Sequence, residues 1–62
     1  MKLIPANENA RVGDMISDFE QITGFVGVDA EGQTVTETCE MYGDAKCQPF
    51  VVSVFAVAKS ID

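Results

Sequence analysis

The stretch Phe50 to Ala58 is the longest apolar run in the chain, broken only by Ser53. A strand that is apolar at both odd and even positions has no face to offer water. The run therefore predicts a central strand with both faces covered. Pro49 stands at its start, where a missing N–H removes little from a ladder. The run is too short for the roughly 18 residues of a membrane-spanning helix. No membrane association is expected.

Two further strands can be read beside it. Phe25-Val26-Gly27-Val28 leads into Asp29-Ala30-Glu31-Gly32, and a glycine at the end of that turn can take positive φ. Gln33 to Met41 alternates, with Thr34, Thr36, Thr38 and Glu40 on one face and Val35, Glu37, Cys39 and Met41 on the other. With Phe50 to Ala58 these runs predict a three-stranded antiparallel meander. Further turns are expected over 5–9, 42–45 and 48–49, each rich in Gly, Pro, Asn or Asp. If Tyr42-Gly43-Asp44 is a hairpin loop, Met41 pairs with Ala45 and Cys39 falls opposite Cys47. Opposed Cβ atoms lie ~4.5–5.5 Å apart, slightly wide of disulfide geometry. The expectation is two neighbouring reduced thiols, with a stapling disulfide as the alternative.

Residues 9–23 support two readings. Val12, Met15, Ile16, Phe19 and Ile22 fall at helical spacing, and Gly24 would stop a helix. Gly13 and the β-branched Val12, Ile16, Ile22 and Thr23 oppose one. The rival is a strand over Arg11 to Ile16, a loop, and a strand from Ile22. Arg11-Val12-Gly13-Asp14-Met15-Ile16 resembles the opening strand of SH3-like small barrels, and Ile22-Thr23-Gly24-Phe25-Val26-Gly27 resembles their next strand. That resemblance implies a mainly β fold: a small antiparallel sheet or SH3-like barrel of about five short strands. It implies binding of peptides or nucleic acids and brings no catalytic residues. The alternative is α+β, with one helix over about 10–23 packed on the three-stranded meander.

At 62 residues the chain is expected to form a single domain. A domain of this size buries only about 60% of the surface of its unfolded chain. One such core supplies on the order of 3–5 kcal/mol. The net charge is −6, and its placement is uneven. The four bases are Lys2, Arg11, Lys46 and Lys59. Between Val12 and Ala45 lie eight carboxylates and no base: Asp14, Asp18, Glu20, Asp29, Glu31, Glu37, Glu40 and Asp44. Such a field repels phosphate backbones, so no direct nucleic-acid binding is expected. It either serves solubility or docks on a basic protein surface.

The residues for most chemistry are absent. The chain has no histidine, so the usual general base near neutral pH is missing and neither cysteine can be histidine-activated. Two cysteines cannot build an all-cysteine zinc site. Gly24-Phe25-Val26-Gly27 lacks the Lys-Ser/Thr of a phosphate loop. Asp29-Ala30-Glu31-Gly32-Gln33 fails the spacing of a calcium loop and reads as a turn. So small a domain is expected to leave little room for a cleft of ~300 Å³. No enzymatic role, metal or cofactor is expected.

What remains is an interaction or regulatory protein that docks on a basic partner protein. The candidate contact residues are Glu31, Glu37, Glu40 and Asp44, with Tyr42 as an exposed aromatic anchor in a turn. Of the aromatics Phe19, Phe25, Tyr42, Phe50 and Phe55, at least three are expected in the core. Short, acidic, histidine-free chains resemble in style the accessory proteins of phages and mobile elements. That likeness implies inhibition by imitation of DNA charge. The alternative is an assembly module that forms a homo-oligomer through an edge strand or apolar face. No secretory signal is legible at the N-terminus, so a cytoplasmic location is expected.

Overall fold

The computed structural model describes residues 2–61. It contains four strands, β1 (Lys2–Pro5), β2 (Met15–Ser17), β3 (Glu20–Val28) and β4 (Ser53–Ser60), and one short helix, α1 (Tyr42–Lys46). The strands form one antiparallel sheet in the order β1-β4-β3-β2, curled into a half-barrel. The mainly β expectation is met. The curl is compatible with a small-barrel fold, although the described sheet stays open at β1 and β2. No helix of the described residues is long and apolar enough to cross a membrane.

No helix forms over residues 10–23. Gly13 adopts φ +96° in a tight turn, where the Arg11 N–H donates to Asp14 Oδ2 at 2.9 Å and the Asp14 N–H donates to the Arg11 carbonyl at 3.1 Å. β2 then reverses through Asp18-Phe19 into β3. The β-branched residues prefer extended backbone, and Gly13 supplies the left-handed turn. The strand–loop–strand alternative describes this region, with its first strand at Met15–Ser17 rather than Arg11–Ile16.

The meander expectation is corrected. β4 pairs directly with β3, from Glu20↔Ser60 to Val28↔Ser53. Residues 33–39 run along the opposite edge of β3, touching it through single bridges at Val28↔Thr34 and Phe25↔Cys39. The turn between is as read: Asp29 N–H donates to the Gln33 carbonyl at 2.9 Å and Gly32 takes φ +84°. Beyond it, the Gly27 N–H donates to Thr36 Oγ1 at 2.9 Å instead of to a carbonyl, so the ladder loses regularity. The chain then crosses the core as α1 and returns on the far edge of β3. The expected hairpin at 42–44 is therefore a helix, and no ladder sets Cys39 opposite Cys47. Cys39 bridges Phe25 and donates its thiol to the Glu37 carbonyl at 3.4 Å, whereas Cys47 follows α1 and is exposed. Both are free thiols.

The core lies between the sheet and α1. Ile22, Phe25, Ala45, Val54 and Ala56 form its buried cluster, with Ile4, Ile16, Tyr42 and Val51 packed around it. Five residues of helix are too few to persist alone. α1 is held because Ala45 is fully buried over the sheet. A Cβ on Gly27 would meet the Ala45 carbonyl at 3.2 Å and overlap the side chains of Val51 and Thr36, so only glycine admits the crossing there. Gly24 makes the same concession to Thr38.

Phe50 is a second correction. It lies in the turn after α1 rather than in the central strand, whose ladder begins at Ser53. Phe25 is the one aromatic that is fully buried among the described residues.

Two expected outcomes follow from the core. Val54, only 3% exposed, makes Val54→Asp unfold the protein, because an unpaired buried carboxylate costs several kcal/mol, roughly the whole stability. Gly27→Ala should lower stability by ~1–3 kcal/mol through overpacking. Thermal melts followed by circular dichroism check both.

Candidate interaction surface

The chemistry available to this surface is set by where the turn 29–32 and the turn after α1 converge. Asp29 organises the first turn. Its Oδ1 accepts from the Glu31 and Gln33 N–H groups, each at 2.9 Å. This is an aspartate turn that locks the loop and occupies the carboxylate. The second turn places Phe50 at φ +68°, the left-handed region that a bulky side chain avoids. Its ring is 85% exposed. Val52 beside it and Val35 across from it are also exposed.

Two adjoining hollows result. One, of about 410 Å³, is lined by Leu3, Val28, Thr34, Ser53 and Phe55 with Asp29, Ala30, Gly32 and Val52 at its end. The other is a shallow depression that adds Glu31, Val35 and Phe50 and shares Asp29, Ala30 and Val52 with the first. The first exceeds the ~300 Å³ for which little room was expected, and it is an open surface hollow rather than an enclosed cleft. The sheet curls around α1; on its other face Val26, Val28 and Val57 are buried, Thr38 lies against Gly24, and Leu3 and Phe55 border the hollow. Leu3, Val26, Phe55 and Val57 lie on that face by the register Leu3↔Val57 and Val26↔Phe55. Asp29 and Glu31 are the titratable groups in the two linings, and Asp29 is engaged in its turn. The arrangement can clasp an apolar group and hold a positive charge beside it.

The acidic candidates fall on three pieces of chain. Glu31 is in the 29–32 turn, Glu37 and Glu40 are on the irregular segment beside β3, and Asp44 is in the first turn of α1; all four are exposed. Of these, Glu31 borders the apolar depression. Tyr42 is not the exposed anchor that its expected turn position suggested. It is half-buried at the start of α1, edge-on to Phe25 with ring centroids 6.2 Å apart. Sequence reading missed Phe50 as the exposed aromatic of this surface. The available signal was Pro49 next to Gln48, a turn marker that the apolar run overrode. A second exposed apolar group, Phe19 at 72% with Met15 and Ile61, sits at the other end of β3.

The charged groups carry little internal pairing. Among the described residues one ion pair forms, Lys2 Nζ to Glu20 Oε1 at 3.1 Å, and it is solvent-exposed. No buried charged side chain occurs among them. The remaining carboxylates of 14–44 project a field that acidic partners would meet with repulsion. No group of three or more potential metal ligands converges among the described residues.

The backbone strain at Phe50 sets an expected outcome. Phe50→Asn puts a residue that tolerates the left-handed region into the turn and removes a ring that packs on little. It should raise stability by ~0.5–1 kcal/mol, a melting-temperature gain of about 4 °C in a domain of this size. No family model, curated protein or solved structure matches the chain.

Proposed function

We propose that the protein is a non-enzymatic interaction module that docks on a partner protein through an apolar anchor flanked by Lys or Arg. The observation that carries this reading is Phe50, an aromatic ring held in solvent at the expense of backbone strain, with Glu31 beside it. Strain of ~1–3 kcal/mol is large against a stability of a few kcal/mol, and such strain clusters at functional positions. Exposed aromatics bury large area at low entropic cost when a partner covers them. The acidic surround would steer a basic partner and disfavour acidic ones.

This differs from the purely electrostatic patch expected from sequence. The anchor is apolar, and Glu31, Glu37, Glu40 and Asp44 serve orientation and encounter rate. A regulatory role of the kind played by phage or mobile-element accessory proteins is one use of such a module, and the acidic surface supports it.

A peptide array of fifteen-residue segments that vary in aromatic and basic content tests the reading. Bound segments should combine an apolar residue with Lys or Arg. Their affinity should fall about tenfold or more for Phe50→Asn, which stays folded (~1.4 kcal/mol per tenfold). It should fall severalfold for Glu31→Lys, and fade as the Debye length shrinks from ~10 Å at 0.1 M salt to ~3 Å at 1 M. Binding that ignores both substitutions and salt would sink the reading.

A further inference from the structure

We propose that β1 is a self-pairing edge: two copies join antiparallel through β1 about a twofold axis at Leu3, merging their four-stranded sheets into one. This is independent of the docking reading above, which uses the hollow at the end of the sheet.

The argument starts from the hydrogen bonds of β1. The Ala6 N–H donates to the Val54 carbonyl at 3.1 Å, continuing the register Ile4↔Ala56 and Pro5↔Phe55. Backbone direction alternates along an antiparallel strand. Lys2 and Ile4 therefore face β4 with their N–H and carbonyl groups, and Leu3 faces outward. Pro5 also faces outward, and has no N–H. This explains why a proline is tolerated there without loss to the β4 ladder. Within Lys2–Pro5 the open edge thus carries one outward N–H, at Leu3, and outward carbonyls at Leu3 and Pro5.

An edge with a single donor narrows the registers open to it. When Leu3 of one copy lies opposite Leu3 of the other, each donates to the other's carbonyl, and both donors are satisfied. The shift that sets Leu3 opposite Pro5 of the second copy also gives each Leu3 N–H a carbonyl, but it breaks the reciprocal pair at the axis and separates the two Leu3 side chains. With Leu3 opposite Leu3, Lys2 lies opposite Ile4 of the second copy, so like charges do not meet. The two Leu3 side chains fall on the same sheet face with Cβ atoms ~4.5–5.5 Å apart. Leu3 is 42% exposed in the single chain, and its face continues into Phe55 and Val57, so the contact extends an apolar strip already present.

Charge also favours this edge over the others. Residues 2–7 contain no carboxylate, whereas the opposite edge, β2, lies between Asp14 and Asp18. Lys2 is already paired with Glu20. Two chains of charge −6 repel at long range, and that repulsion is what salt removes. The dimer therefore strengthens with salt, opposite to the expected behaviour of a basic partner on the acidic surface. With a strand of four residues the contact is small, and dimerisation is concentration-dependent.

Sedimentation equilibrium and amide exchange on the intact chain, at about 20 µM and about 1 mM, test this. The expected result is a doubling of mass at the higher concentration, a shift toward dimer in 0.5 M salt, and at least about tenfold slower exchange of the Leu3 amide. Leu3→Pro removes the outward donor and spares the β4 ladder, so it should give a folded monomer. Leu3→Val should still dimerise. A chain that stays monomeric at about 1 mM in high salt, or a dimer that leaves the Leu3 amide unprotected, overturns the proposal. A Leu3→Pro protein that still dimerises overturns it as well. If Leu3→Pro does not fold, the concentration dependence of Leu3 exchange in the unsubstituted protein decides.

Discussion

Nothing larger than hydrogen fits on the core-facing side of β3 at Gly27, and the architecture depends on that vacancy. The carbonyl of Ala45 passes over it at a distance a Cβ would reduce to 3.2 Å, and Thr36 and Val51 close in from either side. Through this point the chain moves from one edge of β3 to the other. Without the crossing, β4 could not leave the side of residues 33–39 and enter the sheet between β1 and β3. A glycine in mid-strand weakens the strand by roughly 0.5–1 kcal/mol. Here that weakness is offset by the burial of Ala45 and by two-sided hydrogen bonding of β3.

Two faces of one sheet then meet different fates. One is covered by α1 and the chain ends around it, and holds Phe25 and Val54. The other buries Val26 and Val57, with Thr38 against Gly24, and leaves Leu3 and the hollow beside Phe55 accessible. A chain of this length covers that face only in part. Its apolar surface is therefore available for contact. In the proposed docking, the strained, solvent-facing Phe50 and the acidic rim would give the contact direction and sign.

Charge and packing are divided between parts of the chain. The carboxylates stay outside, because so small a core cannot supply their partners. Of the exposed apolar side chains, Val35, Phe50 and Val52 gather at one end of β3 and Met15, Phe19 and Ile61 at the other, with Leu3 on the β1 edge. The acid-free edge of β1 stands apart from both. Encounter with a basic partner and association between copies would therefore answer to salt in opposite directions.

The mainly β reading was legible in the sequence because local rules carry it, although residues 9–23 left a helix open. The apolar run before Lys59 forces a buried strand, the Asp29–Gly32 turn closes through its own aspartate, and Gly13 with β-branched neighbours favours extended chain over helix. The acidic exterior was legible for the same reason, since charge needs no topology. Only the tertiary structure decided which edge of β3 receives β4. Thr34 to Cys39 alternate like a strand, yet Thr36 takes the Gly27 N–H with its side chain and the regular ladder fails. Tyr42 to Lys46 read as a turn and became a helix because Ala45 found a buried seat, which no five-residue propensity can foretell. Phe50 sits at the head of an apolar run and Tyr42 amid turn residues, and their burial is the reverse of what hydropathy suggests. Hydropathy counts neighbours along the chain, whereas exposure depends on what α1 brings to cover each ring.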